Sequence, residues 1–95
     1  LAYLNIALIY KDIYRDYESA RYYYLAGISK DKDNAVLWYN LACVYLLSND
    51  YENCYSCLLY AIMRDPSLKE FMLEDEELTD FIKSPYYEKL MKEIG

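Results

Sequence analysis

Apolar residues recur along this chain at three- and four-residue steps, the period of an amphipathic helix. Cys54, Leu58, Ala61 and Ile62 follow that spacing, and so do Ala20, Tyr24, Gly27 and Ile28 further upstream. Polar clusters interrupt it at regular places. Asp33-Asn34 can cap a helix beginning near Ala35, and Ser48-Asn49-Asp50 breaks the pattern before a second helix from about Tyr51. Asp65-Pro66 then ends that helix, because proline drives the residue before it out of the helical region. Helices in consecutive pairs are the predicted elements.

The pairs repeat. Tyr3-Leu4-Asn5-Ile6-Ala7-Leu8-Ile9-Tyr10 aligns with Trp38-Tyr39-Asn40-Leu41-Ala42-Cys43-Val44-Tyr45 at a shift of 35. Tyr17-Glu18-Ser19-Ala20 aligns with Tyr51-Glu52-Asn53-Cys54, and Gly27-Ile28 with Ala61-Ile62, at a shift of 34. The first copy therefore carries one extra residue between Tyr10 and Tyr17, at the end of its first helix or in the turn. Small residues at Ala7, Ala42, Ala20 and Cys54 let paired helices approach closely. Trp38, Tyr10, Tyr45, Tyr24 and Leu58 are large enough to fill the space between them.

This pattern resembles the tetratricopeptide repeat, which reads W-x2-L-G-x2-Y, then A-x3-F, an alanine and a closing proline over 34 residues. In the second copy Trp38, Leu41, Tyr45, Ala61 and Pro66 match by identity, with Ala42, Cys54 and Leu58 as conservative replacements. The first copy is more degenerate: Tyr3 stands for the tryptophan, Ile6 for the leucine, Ala7 for the glycine, Gly27 for the later alanine and Lys32 for the proline. Residues after Pro66 do not repeat it. They resemble the segment that follows the last repeat in many such proteins, through Pro66, Leu68, Met72, Asp75, Glu77, Leu78, Phe81, Pro85, Tyr87 and Leu90, with Ser84 replacing an aspartate.

The resemblance implies an all-α fold of stacked helical hairpins, an α-α superhelix with a carboxyl-terminal helical cap. Repeat 1 spans residues 1–34, repeat 2 residues 35–68 and the capping helices residues 69–95. The cap is expected to lay Leu68, Phe71, Met72, Leu78, Phe81 and Ile82 over the second hairpin, with its acidic residues facing water. Leu1 already lies inside the helical pattern with no cap before it. We read the chain as part of a longer array, open at its amino end.

Composition narrows the chemistry. Of 95 residues, 56% are hydrophobic, 27% charged and only two each are glycine and proline, which excludes a disordered tail and a turn-rich β-sandwich. Sixteen acidic against ten basic residues leave a net charge of −6, so a nucleic-acid backbone would be repelled. No apolar run reaches the roughly 18 residues of a membrane span, and none reads as a secretory signal. The chain has no histidine, hence neither the commonest general base nor the commonest metal ligand. No nucleophile or base oriented by a third group can be assembled, so an enzyme is not expected.

Three cysteines, Cys43, Cys54 and Cys57, remain. Cys54-x2-Cys57 has the spacing of a redox or zinc half-site, but it falls mid-helix and lacks a second pair. Buried, reduced thiols are the expectation, without metal or cofactor, and they suit a reducing, cytoplasmic location. A metal or redox protein is the rival reading. The run Glu74-Asp75-Glu76-Glu77 with Asp80 lacks the alternation and central glycine of a calcium loop and reads as a solvated, helix-breaking charge run. Of fourteen tyrosines, those at repeat positions are explained by packing. Tyr22, Tyr23, Tyr55 and Tyr60 are candidates for an outer surface, where tyrosine supplies contact area at low entropy cost.

In the resembled family the first helix of each hairpin lines a concave groove that accepts a partner peptide. The corresponding positions are Leu1, Leu4, Leu8, Lys11 and Asp12, then Val36, Tyr39, Cys43, Leu46 and Leu47, with Asn5 and Asn40 beside them. Most are apolar. The basic residues that clamp a terminal carboxylate in one version of this fold are absent, with Leu4, Leu73 and Glu77 in their places, which argues against a carboxylate clamp. The expected function is a non-enzymatic scaffold docking an apolar or aromatic peptide or helix of another protein, not nucleic acid or membrane. The alternative is a structural end-cap of a superhelix, or a homo-oligomerisation module using the same strip.

Overall fold

The computed structural model describes residues 2–95. These residues form α1 (Ala2–Asp12), α2 (Tyr17–Lys30), α3 (Ala35–Leu47), α4 (Tyr51–Arg64), α5 (Leu68–Glu74), a 3-10 turn (Glu76–Leu78), α6 (Thr79–Ile82) and α7 (Pro85–Ile94), with no strand among them. The chain is all-α. α1 packs on α2 and α3 on α4 as two hairpins, α2 packs on α3 to stack them, and α7 closes the far side of α4. α5 begins at Leu68, the last residue assigned above to repeat 2.

Local chemistry sets the helix starts. Asp16 and Asp50, one repeat apart, each accept a backbone hydrogen bond from the third residue on, Ser19 N and Asn53 N, both at 3.1 Å. Asn34 does the same for α3 through Val36 N at 3.1 Å and Leu37 N at 3.3 Å. Each bond satisfies an amide that the first helical turn leaves unpaired. The turns also correspond. Arg15 and Asn49 occupy equivalent positions and both adopt the left-handed conformation, at φ 52° and 62°. The extra residue of the first copy thus lies in the turn, where Ile13 and Tyr14 stand opposite the single residue Ser48.

The small residues Ala7, Ala20, Ala42 and Cys54 are fully buried, and Tyr24, Leu41 and Leu58 fill the space around them. Gly27 lies where α1, α2 and α3 come close together. A Cβ there would lie 3.1 Å from a methyl of Leu37 on α3 and 3.1 Å from Cβ of Tyr3 on α1. Met72, Leu78, Phe81 and Leu90 extend the core beneath the carboxyl-terminal segment. Phe71, expected in that cover, is instead 59% exposed.

Repeat symmetry exposes one difference between the hairpins. On α3, Leu41 and Val44 are buried in the core that α2 and α3 share. Their equivalents on α1, Ile6 and Ile9, are 38% and 46% exposed.

Candidate functional site

The positions expected to line a groove lie on α1 and α3. On α1, Leu4 and Leu8 are half-buried and Asn5 is exposed. On α3, Val36 and Leu47 are exposed, and Asn40 and Leu46 are half-buried. Asn40 donates one of its two amide N–H groups to the Val36 carbonyl of its own helix at 2.9 Å, which fixes the orientation of its side chain. Leu1 lies outside the described residues.

Tyr39 and Cys43 sit differently. They are only 4% and 2% exposed, although their helix face is the one that carries Val36 and Leu46. The segment after α5 covers them. The Tyr39 hydroxyl donates to Asp75 Oδ2 at 2.7 Å, and its ring meets Phe71 edge-on at 5.5 Å. Two residues on, Glu77 accepts both of its hydrogen bonds from Lys11 Nζ on α1, at 2.6 and 2.8 Å. Leu78 is fully buried below. The acidic run is therefore not simply solvated: Asp75 and Glu77 tie the cap to α3 and α1. Asp75 also accepts from Glu77 N at 3.0 Å, capping the 3-10 turn that holds both carboxylates in place.

Electrostatics follow from this closure. Burial alone would lower the Lys11 pKa, but the Glu77 hydrogen bonds and the charges of Glu77 and Asp12 outweigh it, and the ammonium is held above its ordinary value. Burial, then donation to Asp75, pushes the Tyr39 hydroxyl far above the usual phenol range. Tyr24, fully buried nearby, is also pushed up by burial, and its hydroxyl has no protein partner. All three thiols are free and buried. Burial raises Cys43 and Cys57 to about 12 and Cys54 higher still. A thiol in that state is not a nucleophile at neutral pH. Among the described residues no cluster of three or more potential ligands could hold a metal ion.

Between the open and covered parts of α3 lies a cavity of about 270 Å³, lined by Val36, Tyr39, Asn40, Cys43, Leu68, Phe71, Asp75 and Glu77. α5 thus forms one wall of this cavity, opposite α3. Leu68 and Phe71 line this cavity although neither is among the groove positions that the family resemblance implies; Glu77, which stands at a clamp position, is the sequence signal that points to this wall. The other tyrosine candidates divide: Tyr22 and Tyr60 are exposed, Tyr23 stacks on Tyr10 at 5.5 Å, and Tyr55 is buried. Trp38 donates Nε1–H to the Lys32 carbonyl at 2.8 Å and lies beside Tyr60 and Arg64, a structural cluster away from the groove. No helix among the described residues is long and apolar enough to cross a membrane.

A family profile described as tetratricopeptide repeat matches residues 23–55, from the middle of α2 through α3 into α4. Comparison with curated proteins and with solved structures gave no match.

Proposed function

We propose that this chain, which matches a tetratricopeptide repeat profile over residues 23–55, docks an apolar or aromatic segment of another protein in a groove along α1 and α3. Repeats of this family are generally non-catalytic interaction scaffolds. The observation that carries the reading is the strip of accessible apolar side chains Leu4, Leu8, Val36, Leu46 and Leu47, left uncovered where the cap ends. Such strips on a folded surface mark interaction sites, and a helix fits one through anchors three and four residues apart. Tyr39 and Cys43 form the floor under the cap and would support the site from beneath, with Asn5 and Asn40 at its edge.

The test uses Leu8→Asp and Val36→Asp. Both positions are accessible, so helix content by circular dichroism should be retained while proteins captured by the parent from a cell extract are lost. Capture of the same proteins by parent and variants would refute the reading. Tyr39→Ala is unsuitable here, because it empties a buried site and tests stability instead.

A second reading, a structural end of a superhelix or a homo-oligomer, is favoured by the uncovered Ile6 and Ile9. Their equivalents on α3 are packed in the core shared with α2, so a helix of similar kind fits over α1. Sedimentation over a range of concentrations decides on self-association: the monomer mass at every concentration rules out the oligomer.

A further inference from the structure

Resting on the groove reading above, we propose that the segment docked there is basic as well as apolar: an amphipathic helix with lysine or arginine beside its hydrophobic anchors. Two neighbouring features support this. The first is the cavity between α3 and α5, whose walls are Val36, Leu68 and the exposed ring of Phe71, of a size to accept one large side chain. The second adjoins it across Phe71, a wider hollow of about 430 Å³ lined by Glu74, Asp75, Glu76 and Glu77. The two hollows share Phe71, Asp75 and Glu77, so the apolar wall of the slot lies directly beside Glu74 and Glu76.

The balance of charge in the groove points the same way. α3 contains no charged residue, and α1 contributes only Lys11 and Asp12. Lys11 is already taken by Glu77 and is buried. Asp75 and Glu77 are engaged by Tyr39 and Lys11, but the side chains of Glu74 and Glu76 make no hydrogen bond or ion pair among the described residues and are exposed. An acidic partner would meet uncompensated like charge there, whereas a cation would meet two free carboxylates and the face of an aromatic ring. Net charge over the whole chain, −6, adds long-range attraction of the same sign.

The probes are three labelled amphipathic helical peptides of about fifteen residues, identical in their leucine and tryptophan face and flanked by lysine, glutamine or glutamate. The lysine peptide should bind the full chain at least tenfold tighter than the glutamine peptide, and the glutamate peptide should not bind measurably. Glu74→Gln/Glu76→Gln should remove most of the lysine peptide's advantage and weaken its salt dependence. Glu18→Gln/Glu52→Gln, an equal loss of charge on α2 and α4, should leave it intact. Phe71→Ser should weaken the glutamine and lysine peptides both, and the lysine peptide more, because it also loses the ring face. Both glutamate pairs are on exposed surfaces, and cooperative thermal unfolding of each variant verifies the fold. Equal binding of lysine and glutamine peptides, or equal losses from the two charge variants, overturns the inference while leaving apolar docking standing. If no peptide binds, both this inference and the groove reading fall.

Discussion

Lys11 and Glu77 form an ion pair whose partners differ sharply in burial, and that difference predicts an unequal response to substitution. The Lys11 side chain is 6% exposed and that of Glu77 42%. Glu77→Gln leaves an ammonium out of water with one weak amide acceptor and Asp12, 3.4 Å away and itself largely solvated. Breaking a fully buried pair from one side costs about 3–5 kcal/mol. The solvent around Glu77 and the remaining carboxylate reduce that to about 1.5–3 kcal/mol. Lys11→Met removes the buried charge but keeps the packed stem, and Glu77 can turn to water, so its cost should stay below about 1 kcal/mol. The double variant should resemble Lys11→Met alone, because the penalty of Glu77→Gln exists only while the ammonium is present. At about 4–8 °C per kcal/mol for a domain of this size, Glu77→Gln lowers Tm by roughly 6–24 °C. Urea titration with an unchanged m-value, together with thermal unfolding, measures all three. A Lys11→Met loss equal to or larger than that of Glu77→Gln, or additive losses in the double variant, would refute the reasoning. The pH dependence provides a second check. A lysine whose folded pKa lies above its ordinary 10.5 stabilises fully below that value and loses its contribution as pH rises through the folded one. Lys11→Met should lack that part of the alkaline decline.

Three further outcomes are expected. Cys43, Cys54 and Cys57 should react with a thiol reagent at pH 8 only after unfolding. With two of them raised to about 12, the stability they confer is complete below their ordinary 9 and declines by about 1.4 kcal/mol per pH unit for each thiol above it; rapid labelling of the native protein would contradict this. Arg15 holds a left-handed conformation that costs a side-chain-bearing residue about 1–2 kcal/mol, so Arg15→Gly should raise stability by about 0.5–1 kcal/mol in urea titration, after the greater entropy of an unfolded glycine is set against it. Gly27→Val should lose about 1–3 kcal/mol by thermal unfolding, since its branches would press on Leu37 and Tyr3, whereas Gly27→Ala should be near neutral as helix propensity offsets the tight contact.

Features set by neighbours along the chain were legible before any coordinates. Asn34 and Asp50 cap the helices that follow them, Pro66 lies just past the end of α4, and the small residues Ala7, Ala20, Ala42 and Cys54 lie at the helix contacts. Each depends on a bond within four residues or on a helical period, and both are written in one dimension. The cap's hold on the groove was not legible. Asp75 meets Tyr39 across 36 residues and Glu77 meets Lys11 across 66, and no spacing rule links such positions. A run of four acidic residues looks solvated until two of them find partners.

Repeat position carries the same limit. Leu8 and Cys43 are equivalent in the two copies, as are Leu4 and Tyr39, yet the α1 members stay partly accessible while those on α3 are buried. The difference is not in the repeat but in what lies over it, because Asp75 and Phe71 reach Tyr39 and stop short of Leu4 and Leu8. Equivalent residues therefore stand differently: on α1 they are open to the proposed partner, and on α3 they lie beneath the cap that shapes the slot. A polar substitution at Leu8 should act on binding first, and one at Cys43 on stability first. Comparing the two variants by capture and by unfolding separates groove from floor.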